Sequence, residues 1–299
     1  MFVLPKSNAV LAPAKINLHL QITSLFDDGR HELNTSFAFV DVYDTLHIQI
    51  AKKLQVECSI SELSGENNLV FQVLNALQKQ YKCDKGLDIY IEKHLPAEAG
   101  LGGGSSDAAS ALLAANDLWQ LKLSQQQLIS LATPFGADIP CFLYGQASLA
   151  KGVGEKLTPY PESLENQYIC LARPKHGLST RAVFQHYDQQ ANLKIPLTHH
   201  IAADTIRAAS QGKVPVGENA LEKSAMALLP EIDLLLKTMR EFSSMAWMSG
   251  SGSTCVASCS SYTEATQLAK HLQQCGMASW THAGKLLNKH PAFTDNIGA

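Results

Sequence analysis

The chain lacks a basic surplus. Its 24 lysines and arginines face 27 acidic residues, for a formal charge of −3 and an isoelectric point near 6.4. Nucleic-acid binders neutralise backbone phosphates with Lys and Arg. A general RNA or DNA binder is therefore disfavoured, and only a local basic pocket stays open. No apolar run is long enough to span a bilayer. Lys6 and the stretch Ala9–Ala14 faintly mimic a secretory signal, but the apolar run is short and Lys15 interrupts it. The expectation is a cytoplasmic protein with no membrane partner. Paired cysteines are missing too. The seven present are scattered, and Cys255 and Cys259 have no second pair or histidine at zinc spacing. They read as reduced, mostly buried thiols.

What is present is an ordinary globular composition, 45% hydrophobic and 17% charged, over a length of 299 residues that suits two domains. Residues 14–23 alternate apolar and polar, as a half-buried strand does. Asp27-Asp28-Gly29 is a turn signal, and strands are expected at 46–50, 56–60 and 87–91, with a helix over 68–81. Helices follow at 106–119 and 124–133, then a tight non-helical segment at 134–140 and a strand-like stretch at 142–150. In the second half, strands are expected at 167–172, 245–248, 254–259 and 279–282. Helices are expected at 179–187, 198–211, 218–228, 230–242 and 261–276. No repeat is evident, and elements mix without strict β-α alternation, which predicts an α+β fold. The expected division is 1–155, 156–286 and a loose tail at 287–299.

The stretch Gly100-Leu101-Gly102-Gly103-Gly104-Ser105-Ser106 lies between an expected strand and an expected helix. Bare backbone approaches a ligand closely and adopts φ > 0 at little steric cost. A helix N-terminus adds free N–H donors and the positive end of the helix dipole. Together these describe a phosphate cradle rather than a flexible turn. It is not a Walker A loop, because no Gly-Lys-Ser/Thr closes it, and Ser105 replaces the last glycine of Gly-x-Gly-x-x-Gly.

Phosphoryl transfer needs charge neutralisation and a group to orient or deprotonate the acceptor. Lys15 shares a strand face with Asn17 and His19, and on pattern alone that face is most simply solvated. Asp138 stands among Phe135, Ala137, Ile139 and Phe142. It is either a partly desolvated carboxylate needing a partner or a turn aspartate capping backbone. His31 follows the turn and is a base reader or an exposed loop residue. Ser249-Gly250-Ser251-Gly252-Ser253 is a second bare loop, a weak anion-nest signal by itself.

Pro13-Ala14-Lys15-Ile16-Asn17-Leu18, the loop at 100–106 and the loop at 249–253 stand in the order and spacing of the three motifs of the GHMP kinases, which the chain resembles from about residue 12 to 286. Asp28-Gly29-Arg30-His31 and Gly136-Ala137-Asp138-Ile139-Pro140 narrow the resemblance to the branch that phosphorylates the 2-hydroxyl of cytidine diphosphate methylerythritol, a step in non-mevalonate isoprenoid synthesis. The resemblance implies a two-domain α+β fold. Its N-terminal domain is like domain 2 of ribosomal protein S5, and its C-terminal domain is ferredoxin-like. It implies ATP as co-substrate with Mg²⁺, Asp138 as general base and Lys15 as its charge partner. The ATP loop would comprise Pro96, Ala97, Glu98, Ala99, Gly100, Leu101, Gly102, Gly103, Gly104, Ser105 and Ser106, with Ser106 a candidate Mg²⁺ contact. Substrate positions would be Asn17, Arg30, His31, Phe184 (stacked on cytosine), Gly250, Ser251 and Gly252, in a monomer or weak homodimer. Two positions depart from the family pattern. Arg30 stands where an aromatic is common, and Ala97-Glu98-Ala99 replaces a glycine-rich run. The other readings are a homoserine- or mevalonate-kinase-like enzyme and a non-catalytic S5-like RNA-binding protein.

Overall fold

The structure, a computed structural model, describes residues 8–191, 217–243 and 245–293. Strand β1 (Ala9–Leu25) turns through Gly29, at φ +81, into the long antiparallel β2 (His31–Ala51). Strand β2 is the hub of the first half. It pairs with β4 (Gly86–Glu92) and with β5 (Ser148–Gly152), which in turn pairs with β6 (Lys156–Pro159). Strand β3 (Gln55–Cys58) runs parallel to β4, with α1 (Leu69–Tyr81) as the crossover. Asn68 caps α1 by accepting from Val70 N, and Lys82 ends it in the left-handed region. Helices α2 (Gly103–Leu118), α3 (Gln125–Ala132) and α4 (Ile139–Tyr144) complete this half, and α2 packs on α1, α4 and β1.

The second half contains β7 (Tyr168–Arg173), α5 (Thr180–Ala191), α6 (Glu222–Leu228), α7 (Glu231–Phe242), β8 (Ala246–Met248), β9 (Cys255–Cys259), α8 (Tyr262–Gln274) and β10 (Trp280–Leu287). Its strands lie antiparallel in the order β10-β7-β9-β8, the ferredoxin-like arrangement. Strand β10 also meets β2 at Leu286 and Leu287, so the strands of both halves join in one ten-stranded sheet. Strand β1 threads three apolar cores. Val10 and Ala12 belong to the first-half core, Leu20 and Ile22 to the second-half core, and Ile16 and Leu18 pack with Leu171, Trp247 and Val256 between the halves.

Several expectations need correction. Residues 142–150 are not one strand. Pro140 is tolerated in the first turn of α4, the helix runs to Tyr144, and Gly145 at φ +77 closes it before β5 begins. Residues 218–221 are not helical, because their backbone is engaged by β1: Leu20 N donates to Glu218 O, and Ala220 N donates to Leu20 O. The tail expected from 287 is packed at its start. Leu287 ends β10, Gln146 bridges Lys289, and His290 is fully buried against Phe39, Phe142 and Phe293. The helix expected at 198–211 lies outside the described residues. Among the described residues, no helix is long and apolar enough to cross a membrane.

A buried charge cluster ties β2, the exit of β4 and the start of α2 together. The Lys93 ammonium bonds Asp44 and, at 2.8 Å, Asp107, while Asp44 Oδ1 accepts from His94 N (2.6 Å) and Leu95 N (2.8 Å). Burial pushes the Asp107 carboxyl up to about 7; Lys93 opposes this and Asp44 adds to it. Removing one member of such a cluster leaves buried charge uncompensated. Lys93→Met is therefore expected to cost about 3–5 kcal/mol in urea unfolding at pH 8. Folded Asp107 holds its proton to about 7, whereas an unfolded aspartate loses it near 3.8. The unfolded state then binds fewer protons in that window, so this group's contribution to stability falls as pH rises through it. Asp107→Asn is expected to flatten that decline in a pH series of denaturation midpoints, and an unchanged slope would contradict the assignment.

Candidate active site

The glycine loop leaves β4 and enters α2 with its carbonyls tied from behind. Arg173 Nη2 donates to Ala97 O (3.2 Å), Thr254 N to Ala99 O (3.1 Å), Ser249 Oγ to Gly100 O (3.0 Å), Lys15 N to Leu101 O (2.9 Å) and Ser106 N to Gly102 O (2.8 Å). In a trans peptide plane the C=O and the next N–H point in opposite directions. Each carbonyl held back thus turns the following amide toward the cleft. Glu98, Gly100 and Gly102 sit at φ +51, +72 and +69 to make this path. Side chains are excluded at the tightest point, since a Cβ on Gly100 would lie 2.3 Å from Ser249 O. The first turn of α2 adds N–H groups with no intrahelical partner.

Lys15 and Asp138 meet beside this loop, with Lys15 Nζ 3.3 Å from Asp138 Oδ2. The expected solvated face of β1 is instead buried: Lys15 is 2% exposed, and Asn17 and His19 are similarly enclosed. The opposite face of β1 carries Ile16 and Leu18 into the core between the halves, which leaves Lys15 and Asn17 on a wall of the cleft. Register shifts at Pro13/Ala14 and Asn17/His19 aim these side chains. Lys15 Nζ donates to Asn17 Oδ1 (2.7 Å) and lies over the Phe37 ring (5.4 Å), while Asn17 Nδ2 donates to Thr35 (2.8 Å). Asp138, at the N-terminus of α4, keeps 36% of its side chain exposed. His19 is paired with Ser36 Oγ (2.8 Å), and burial lowers it to about 4, so it is neutral structure rather than a charged group.

At the other end of the cleft, His31 lies against Phe184 with ring centroids 4.7 Å apart. Arg30 does not stack. Its guanidinium pairs with Asp28 at 2.7 Å and is 63% exposed, although the residue reaches the cleft rim. In the second glycine loop, Gly250 and Ser251 line the cleft, whereas Gly252 backs onto Met248 and Ile232. Ser106 is fully buried in α2, while Ser105 lines the cleft. The cleft encloses about 1150 Å³ and is also lined by Pro96–Gly104. Sequence reasoning missed Asn219, whose Nδ2 holds Met248 O and Gly250 O, and Asp188, which bonds His31. Neither sits in a motif, and only the fold brings them to the site.

Two domain profiles match the chain: "GHMP kinases N terminal domain" over residues 68–146 and "GHMP kinases C terminal" over 204–276. The 4-diphosphocytidyl-2-C-methyl-D-erythritol kinase of Acidovorax sp. (strain JS42) is 39% identical over 254 residues, covering 83% of this chain and 86% of that protein. The chain belongs to this kinase family. The enzyme of the same name from Cupriavidus metallidurans is 35% identical, with 95% and 94% of the two chains covered. A crystal structure of 4-(cytidine 5′-diphospho)-2C-methyl-D-erythritol kinase superposes at TM-score 0.76, 31% identity and 93% and 98% coverage. L. major mevalonate kinase, at TM-score 0.70 and 18% identity with 97% and 99% coverage, shares the fold. The protein is thus an ATP-dependent small-molecule kinase with the two-domain α+β architecture of the GHMP kinases.

The loop geometry separates two glycines by experiment. A Cβ on Gly104 meets no protein atom, yet Gly104 lines the cleft. Gly104→Ala is expected to leave thermal stability unchanged or raised by up to about 1 kcal/mol, while weakening ATP binding about tenfold in calorimetric titration. Gly100→Ala is expected to lower both. Equal ATP affinity for Gly104→Ala and the parent would contradict a phosphate seat there.

Proposed function

We propose that this protein transfers the γ-phosphoryl group of ATP to the 2-hydroxyl of 4-diphosphocytidyl-2-C-methyl-D-erythritol. The observation that carries this reading is the Lys15–Asp138 contact of 3.3 Å beside the glycine loop, in one cleft with the aromatic His31–Phe184 pair. Kinship with enzymes of that name over most of the chain supports the substrate. Residues 1–155 supply the nucleotide loop, Lys15 and Asp138. Residues 156–286 supply Phe184 and the second glycine loop, and the reading needs no second chain. The tied-back carbonyls and the bare φ > 0 backbone suit triphosphate oxygens.

In this reading Asp138 accepts the hydroxyl proton as the phosphoryl group arrives, and the Lys15 ammonium neutralises charge on the transferred group. Asn17 holds that ammonium in place. Among the described residues no cluster of three or more carboxylates, His or Cys offers a resident metal site. Mg²⁺ fits as a companion of the nucleotide phosphates, and the hydroxyl offered to it comes from Ser105 rather than the buried Ser106. When bound, it offsets the negative charge gathered on those phosphates. Glu98 lines the cleft, and the nearby Arg173 guanidinium offsets its carboxylate.

Consumption of ATP only in the presence of 4-diphosphocytidyl-2-C-methyl-D-erythritol, in a coupled assay, tests the substrate. Activity on homoserine or mevalonate alone would overturn it. Asp138→Asn is expected to lower kcat about 10²–10⁴-fold with ATP affinity and circular dichroism retained. Near-normal turnover would remove Asp138 from this role.

A further inference from the structure

Asp188 on α5 approaches the base end of the cleft. Its Oδ1 lies 2.7 Å from His31 Nε2, and it lines the cleft with 45% of its side chain exposed. Helical spacing places Asp188 one turn beyond Phe184, so the same helix packs a tilted ring against His31 and bonds its edge. Tyr187 adds an edge contact at 6.3 Å, and the His31 side chain is 11% exposed. Three residues of α5 thus hold this imidazole, and its edge is bonded by a carboxylate outside the family motifs.

An ionised carboxylate only accepts hydrogen bonds. Nε2 of His31 therefore carries the hydrogen, and in the tautomer that this contact selects Nδ1 is left as an acceptor. The second oxygen of Asp188 is an acceptor as well. Where His31 and Asp188 meet, the cleft thus presents two acceptors, while Arg30, Arg181 and Gln185 are donor-bearing side chains that share its lining. A cytosine ring carries an exocyclic amine, a donor, where uracil carries a carbonyl oxygen. Acceptors placed against that edge satisfy the first and repel the second.

Building on the cytidine-substrate reading above, we propose that Asp188 is a specificity-determining residue: it orients His31 and, with it, selects an amino-bearing pyrimidine over its keto counterpart. A site that hydrogen-bonds a substrate group rejects an analogue lacking it far more strongly than an apolar pocket does. An amide at 188 can present either a donor or an acceptor, so Asp188→Asn relaxes the choice.

The test compares kcat/KM for 4-diphosphocytidyl-2-C-methyl-D-erythritol and its uridine analogue in the parent, Asp188→Asn and Asp188→Ala proteins. Calorimetric titration with CMP and UMP supplies a readout independent of turnover. The cytidine-to-uridine ratio is expected to fall at least tenfold in Asp188→Asn, with KM for ATP and the melting temperature unchanged. Asp188→Ala should lower the ratio also, through weaker cytidine binding. Equal losses for both bases, or a ratio within twofold of the parent in both variants, would overturn the inference while leaving the kinase reading intact. A parent protein that fails to turn over the cytidine compound would overturn that reading and the inference with it.

Discussion

The site depends on one constraint: the carbonyls of Ala97, Ala99, Gly100, Leu101 and Gly102 must face away from the cleft. Nothing in a glycine-rich loop enforces this by itself, because glycine permits many paths at nearly equal cost. The direction is imposed by donors drawn from distant parts of the chain. Arg173 comes from the end of β7, Ser249 and Thr254 from the loop between β8 and β9, and Lys15 from β1. The second glycine loop is therefore part of the first. Ser249 accepts from Asn17 N (3.2 Å) and donates to Gly100 O, which links β1, the first glycine loop and the second half through one hydroxyl.

Strand β1 carries the corresponding constraint on charge. Burying a lysine is costly unless it is paired and hydrogen-bonded. Lys15 meets that cost with Asn17, Asp138 and the Phe37 ring. The other face of the strand contributes Ile16 and Leu18 to a core shared with Leu171, Trp247 and Val256. Packing there fixes the strand's rotation, which keeps the ammonium pointed into the cleft. Trp247 Nε1 bonds Asn17 O at 2.8 Å and locks the same segment from the second half. The halves are joined by an apolar core and by the polar bonds that shape the cleft, so loosening their contact would disturb its geometry directly.

Much of the fold was legible from local pattern. The strand expected at 87–91 is β4, the helix expected at 68–81 is α1, and the helix expected at 124–133 is α3, whose start carries a Ser124–Gln127 capping box. The motif residues Lys15, Asp138, Gly100 and Ser249 were legible as a set, and the structure gathers them around one cleft. The misses share a cause. The polar face of β1 looked solvated because periodicity reports which residues share a face, not what covers it. Residues 218–221 looked helical because their pairing with β1 is non-local. Asn219 and Asp188 carried no signal, since a lone Asn or Asp acquires a role only from its neighbours in space.

The sequence by itself determined the local elements, the bare backbone of two loops, and the charge balance that disfavours a nucleic-acid binder, all of which follow from residue type and spacing. Only the tertiary structure decided which way the loop's carbonyls face and that Ser105 rather than Ser106 reaches the cleft. It alone decided that Asp188 holds His31. These outcomes depend on hydrogen bonds between residues distant in the chain, such as Ser249 with Gly100 and His31 with Asp188, and on side-chain choices made by packing, neither of which is encoded in any single stretch of chain.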